Sequence, residues 1–360
     1  MKIAPVEIDR GRTFNNQNMH SPPMSKRGKR AIFLWVLMVT SMIPQAMSQH
    51  TAAQAVARLA ERDSITVLVT DSGLGGLSVC ADLDQKARAI GRYRVLNIIF
   101  CNALPEASQG YNKMPSAERK IRVFDDALAG MARWYAPDAI LVACNTLSVL
   151  IPRTSFTSSS PVPVLGIVEM GVDVMMEKLR ADSTSTAVVF GTETTIAAGT
   201  HRDLLLARGI TPDRIVTQAC PNLAGEIEND ARSEKVATAI DVFAGESLGK
   251  VRRTGSPLVA GLCCTHYGYC GEMFASSLRG AWAAVVTVVN PNSRMSDVLF
   301  PAGPARRYAS PQITVRVVSR AVITPAEMAS IGGLVEPVSR ATAAALRTYE
   351  LKRDLFPYQP

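Results

Sequence analysis

Beyond an amphipathic segment at 52–62, short β-rich runs recur along the chain, each closed by a polar or glycine turn and followed by a longer helical pattern. The runs predict strands at 65–69, 95–100, 139–143, 162–167, 187–190, 214–217, 258–262 and 284–289. Strand, loop and helix in repetition make an α/β protein whose parallel sheets are covered on both faces. In such sheets the loops after the strand C-termini line the ligand crevice, so candidate chemistry is sought there.

Those loops read Asp71-Ser72-Gly73-Leu74-Gly75-Gly76, Cys144-Asn145-Thr146, Glu169-Met170-Gly171, Gly191-Thr192-Glu193-Thr194-Thr195, Cys220-Pro221 and Cys264-Thr265-His266. Two of them look alike. The runs ending in Cys144-Asn145-Thr146 and in Cys264-Thr265-His266 are each an apolar strand, a cysteine and then hydrogen-bonding side chains. This faint repeat predicts two similar doubly wound parallel-sheet lobes, related by a pseudo-two-fold axis, with one thiol from each facing a shared cleft. The expected division is a leader at 1–48, a first lobe of 49–165 plus 290–350, and a second lobe of 166–289.

A thiolate is soft and moderately basic, and neighbouring charges or dipoles bring its pKa near the working pH. A cysteine can therefore remove or return a proton as well as attack carbon. Two cysteines on opposite faces of one stereocentre permit deprotonation from one side and reprotonation from the other, giving the mirror image without a cofactor. The α-proton is weakly acidic, so such a site must supply preorganised donors and exclude water. Ser72, Asn145, Thr146 and Thr265 are donors of the kind a substrate carboxylate needs.

Other readings of these loops are less complete. Asp71–Gly76 lacks the third glycine of a dinucleotide fingerprint, which is Ser78 here, and no Lys-Ser/Thr follows as in a phosphate loop. Cys220, Cys263, Cys264, His266 and Cys270 contain no C-x-x-C pair, so no metal is expected. Cys263 should point away from Cys264 into the core, because adjacent strand residues face opposite sides. Cys80 and Cys101 read as ordinary buried thiols.

Six ordered motifs resemble the cofactor-independent aspartate/glutamate racemase family, most closely its glutamate racemase branch. They are Asp71-Ser72-Gly73-x-Gly75-Gly76-Leu77, Cys144-Asn145-Thr146, Gly166-Ile167-Val168-Glu169, Gly191-Thr192-x-x-Thr195, Ala219-Cys220-Pro221 and Cys264-Thr265-His266-Tyr267, and the resemblance covers about 64–295. The resemblance implies that Cys144 and Cys264 are the two acid/base residues, assisted by Asp71 and His266 in their own lobes and by Glu228. It implies substrate contacts from Asp71, Ser72, Asn145, Thr146, Thr195, Thr265 and His266, and no cofactor. The implied activity is racemisation of glutamate or aspartate. Alternatives are another reaction of the superfamily, such as hydantoin racemisation, maleate isomerisation or malonate decarboxylation, or an exported amino-acid-binding protein without turnover.

The chain departs from the family in two places. Where the family has P-Y-G, Gln109-Gly110-Tyr111-Asn112 follows a longer loop, and Tyr111 is taken as the corresponding contact. The tail after about Pro301, with an alternating run at 313–319 and an Ala-rich helical pattern at 340–349, has no family counterpart.

Composition adds the compartment and excludes some partners. With 47% hydrophobic and 19% charged residues, the 360-residue chain can bury a large core and is not disordered. Of the net charge of +8, residues 1–48 carry +5; the rest holds 32 basic and 29 acidic residues. No basic stripe interleaved with aromatics appears, so nucleic acid is not an expected partner. Residues 24–48 read as a secretory signal: a basic run from Lys26 to Arg30, an apolar stretch at 31–43, and Ala46-Met47-Ser48 as the cleavage site. The apolar run is shorter than the ~20 residues a spanning helix needs. The expected location is periplasmic or secreted, with inner-membrane anchoring by 31–43 as the alternative. The expected partner is a small acidic amino acid; stable membrane insertion after cleavage is not expected, and a homodimer is left open. Seven cysteines, an odd number without regular spacing, do not form a disulfide framework.

Overall fold

The computed structural model describes residues 49–107, 109–301 and 307–359; residues 1–48, where a leader is expected, lie outside them. Residues 49–58 are helical and lead into β1 (Ser64–Asp71). It is followed by β2 (Val95–Asn102), β3 (Ala139–Val142), β4 (Val164–Gly166), β5 (Thr186–Gly191), β6 (Ile215–Ala219), β7 (Leu258–Cys263), β8 (Val286–Val289), β9 (Gln312–Ser319) and β10 (Glu350–Leu351). One sheet has the order β10-β9-β2-β1-β3-β4 and the other β6-β5-β7-β8, and every pairing is parallel. Removing β9 and β10 leaves β2-β1-β3-β4, the same order as β6-β5-β7-β8. The repeat that was faint in the sequence is therefore a repeat of topology, in which β3 and β7 are equivalent strands.

Each sheet is buried on both faces. Since successive strand residues point to opposite sides, β1 sends Ile65, Val67 and Val69 into one apolar cluster and Leu68 into another. In the second sheet Val188, Phe190, Leu262 and Cys264 share one cluster, while Val189, Val259 and Cys263 share the other. Cys263 thus points away from Cys264, as its place on the strand requires. Cys80 and Cys101 are fully buried.

All eight sequence-predicted strands are present, with shifted ends. The first two run on to Asp71 and Asn102, polar residues that hydropathy reads as loop yet that are buried and paired in register with each other. The fourth is trimmed to three residues and preceded by Pro161 and Pro163, which have no N–H to donate to a ladder. The alternating run at 313–319 is an inner strand: β9 pairs with β2 along its whole length, from Gln312↔Val95 to Ser319↔Asn102.

The rest of the tail ties the two sheets together. Thr324 begins helix Pro325–Val335 with a capping box to Glu327. This helix packs on helix Leu223–Asp230 of the second lobe, where the Ser330 hydroxyl donates to the Ile227 carbonyl and accepts from Ala231 N. Helix Arg340–Arg347 returns to β9 and helix Leu77–Ile90. Among the described residues no helix is long and apolar enough to cross a membrane.

The chain end docks on Gly130, inside helix Ala117–Tyr135. A Cβ there would lie 2.2 Å from the Leu355 carbonyl oxygen and 2.9 Å from Phe356 Cβ. Gly to Ala inside a helix normally stabilises by roughly 0.5–1 kcal/mol. Gly130→Ala should instead destabilise by about 1–3 kcal/mol through overpacking, read as a lower midpoint in urea; a raised midpoint would contradict this docking.

Candidate active site

In a doubly wound sheet the crevice lies where the strand order reverses. In the first sheet that point falls between β1 and β3, so the loop after Asp71 and the loop at Cys144 adjoin. In the second it falls between β5 and β7, bringing together the loop at Thr192 and the loop at Cys264. Cys144 and Cys264 follow equivalent strands, so each lobe offers a thiol from the same place in its fold.

The glycine-rich loop of the first lobe lies directly on the Cys-Thr-His loop of the second. The Thr265 hydroxyl donates to Asp71 Oδ2 at 2.6 Å, while the other oxygen of Asp71 accepts from Ser72 N at 2.6 Å. Glu228 Oε1 accepts from Leu74 N and lies 2.6 Å from His266 Nε2. The contact has no room for side chains: a Cβ on Gly75 would stand 2.5 Å from Thr265 Oγ1 and 2.8 Å from His266 Nδ1, and one on Gly73 would meet Glu228 Oε1 at 2.3 Å. Asn292 braces the seam, its amide nitrogen donating to Ser78 Oγ at 2.9 Å and to the Thr265 carbonyl at 3.0 Å.

Each sulfur has a different companion. Ser72 Oγ is 3.1 Å from Cys144 Sγ, and His266 Nδ1 is 3.7 Å from Cys264 Sγ. A continuous path joins the two cysteines: Cys144 to Ser72, Ser72 N to Asp71, Asp71 to Thr265, and Thr265 to its neighbour Cys264. On the other side of Cys144 a second seam forms. Thr146 Oγ1 lies 2.8 Å from Thr192 Oγ1 and 3.4 Å from Thr195 Oγ1, and Asn145 Oδ1 meets His201 Nε2 at 3.1 Å. Tyr111 is buried in the same apolar cluster as Cys144. Its phenol donates to the Ala103 carbonyl at 3.2 Å.

Burial, and after it the Asp71 charge, push the Cys144 thiol well above its ordinary range, against the Ser72 hydrogen bond that lowers it. Cys144 therefore carries its proton at rest. For His266, burial alone would favour the neutral ring. The Glu228 charge, with the hydrogen bonds the ring donates to Cys264 and Glu228, outweighs burial and holds the imidazolium well above the usual histidine range. The seven cysteines are all free and buried, so neither sulfur is tied in a disulfide. Among the described residues no group of three or more His, Cys, Asp or Glu side chains could hold a metal ion.

Residues 65–249 match the family described as Asp/Glu/Hydantoin racemase, a span that holds Asp71, Cys144 and Glu228 and stops short of Cys264. The chain belongs to this family. It is an isomerase of the racemase kind. A glutamate racemase of Lysinibacillus sphaericus is 26% identical over 199 residues, which is 55% of this chain and 68% of that protein. One from Lactiplantibacillus plantarum is 28% identical over 198 residues, covering 55% and 65%. Among solved structures, the glutamate racemase of Campylobacter jejuni superposes with a TM-score of 0.56 at 19% identity, covering 76% of this chain and 97% of that one. The Francisella tularensis enzyme, solved in complex with D-glutamate, also gives 0.56 at 19%, covering 76% and 94%. At these identities the structural likeness speaks for the two-lobed fold.

Every site residue named from the racemase motifs lies on one of the two seams or beside Cys144. Sequence reasoning missed His201, Asn292 and the bracing role of Thr192. Thr192 stood inside a quoted motif, and its side chain caps helix Glu193–Ala198 by accepting from Thr195 N. His201 and Asn292 lie outside every motif and are known only from the partners the fold gives them.

The raised His266 pKa sets a pH dependence. The stability it contributes is complete below the unfolded value of about 6.5 and is lost as pH rises through the folded value. The melting-temperature advantage of the racemase over its His266→Gln variant should be largest near pH 6 and shrink as pH rises. A gap that widens with pH would contradict the imidazolium–Glu228 pairing.

Proposed function

We propose that this chain is a cofactor-independent glutamate racemase that moves the α-proton between two thiols. One cysteine, as thiolate, takes the α-proton; the other, as thiol, returns a proton to the opposite face, and the two exchange roles with the handedness of the substrate. Nothing is consumed: one C–H bond breaks, another forms, and the sulfurs end with their protonation interchanged. The observation that carries this reading is the pair of equivalent strand ends, each presenting a buried cysteine with its own polar companion, Ser72 with Asp71 for Cys144 and His266 with Glu228 for Cys264.

The surroundings suit a carbanion. Asn145, Thr146, Thr195 and Thr265 are almost fully buried donors near the two cysteines, and preorganised donors in a dry site stabilise developing negative charge far better than water-exposed ones. Asp71, holding Ser72 N and the Thr265 hydroxyl, fixes the loops that flank both thiols. Thr265 and Ser72 contact the substrate beside their cysteines, His266 takes and gives a proton at Cys264, and Tyr111 bounds the site next to Cys144. Glutamate as substrate is supported by the glutamate racemases this chain resembles, one of them solved with D-glutamate. The basic-then-apolar leader supports an enzyme that works outside the cytoplasm.

Full-length protein under reducing conditions, incubated with each L- and D-amino acid and followed by chiral chromatography, should interconvert the glutamate enantiomers. Cys144→Ser and Cys264→Ser should each lower the rate by about 10²–10⁴-fold, the usual worth of a positioned acid or base, with an unchanged melting temperature. Full activity in Cys264→Ser would exclude the two-thiol reaction.

A further inference from the structure

The second seam contains a buried pair of which one member, His201, has no part in the two-thiol reaction. His201 opens helix Thr200–Ala207 in the second lobe, and Asn145 directly follows Cys144 in the first. Both are at least 98% buried, and His201 Nε2 meets Asn145 Oδ1 at 3.1 Å. The remaining polar atom of each, His201 Nδ1 and Asn145 Nδ2, is buried without a hydrogen-bond partner. Two apolar side chains would fill this space with no unmet polar atom, so packing alone does not account for the pair.

The ring is neutral, burial having lowered its pKa to about 4, so only one nitrogen carries hydrogen. With Oδ1 facing Nε2, a hydrogen on Nε2 makes a hydrogen bond. A hydrogen on Nδ1 would set two lone pairs against each other and bury an N–H with no acceptor. The Nε2–H form therefore holds the carboxamide oxygen and leaves the buried Nδ2 donors of Asn145, the residue after Cys144, unmatched. A carboxylate oxygen is the acceptor that completes them.

We infer that His201 is a positioning residue for the racemase reaction: by donating across the seam to Asn145 Oδ1, it fixes the carboxamide so that Nδ2 receives a substrate carboxylate. This rests on the two-thiol reading of the site. It assigns His201 a part in substrate selection, because the opposite carboxamide orientation would present an acceptor and favour an ammonium group in the same place. The bond crosses from lobe to lobe, so the donor is set only when the lobes meet.

Three measurements on the full chain test this. His201→Leu, which has no donor, should raise KM for glutamate about tenfold or more with kcat within about threefold, and His201→Gln, whose amide reaches Oδ1, should restore KM to within about threefold. Nitrogen NMR of the wild-type imidazoles should show His201 as the neutral Nε2–H form. An unchanged KM in His201→Leu, or a His201→Gln no better than His201→Leu, overturns the assignment, as does an Nδ1–H tautomer. If neither variant folds, the tautomer alone decides. A wild-type protein inactive on every amino acid would retire the racemase reaction itself, and the tautomer would still settle whether His201 donates to Asn145.

Discussion

The site depends on backbone meeting side chain without an intervening Cβ. The Asp71–Gly76 loop of one lobe lies against Thr265, His266 and Glu228 of the other, and glycines at 73 and 75 are what let it come so near. That approach makes the Asp71–Thr265 hydrogen bond and the shared Glu228 contact to Leu74 N and His266. The Asp71–Thr265 and Leu74–Glu228 bonds join residues of different lobes, and each fixes a group that touches, or neighbours, one of the two cysteines or its companion. A methyl group on Gly75 would push apart the parts that make two half-sites into one.

The symmetry of the folding units is not matched by a symmetry of chemistry. β3 and β7 hold equivalent places, yet Cys144 is companioned by a hydroxyl and a carboxylate and Cys264 by an imidazolium held by a carboxylate. The difference reflects what the opposite lobe and the chain beyond each strand supply. Cys144 carries its proton because burial and the Asp71 charge both oppose a thiolate there. Cys264 has a proton-carrying partner within reach. A pair of thiols in unlike settings is suited to holding one proton between them, which proton transfer across a single carbon demands.

Much of this was legible in the sequence because the chemistry sits where hydropathy changes. Runs of apolar residues ending in Cys144-Asn145-Thr146 and Cys264-Thr265-His266 marked both strand ends, and alternation of faces was enough to separate Cys263 from Cys264. What stayed hidden depends on distant pairing. Asp71 and Asn102 belong to strands although their polarity suggests loop, because adjacent parallel strands extend together. His201 and Asn292 had no local signal, since each acquires its meaning from a residue more than twenty-five positions away. The tail lacked a family pattern, yet β9 completes the first sheet and Ser330 steadies the helix that carries Glu228.

The most direct measurement of the central claim is isotope placement at early conversion in deuterium oxide, starting from a single glutamate enantiomer. With a separate thiol on each face, deuterium should enter the newly formed enantiomer while the remaining starting material stays unlabelled. Equal early labelling of both enantiomers would mean that one group serves both faces, and would contradict a reaction shared between Cys144 and Cys264.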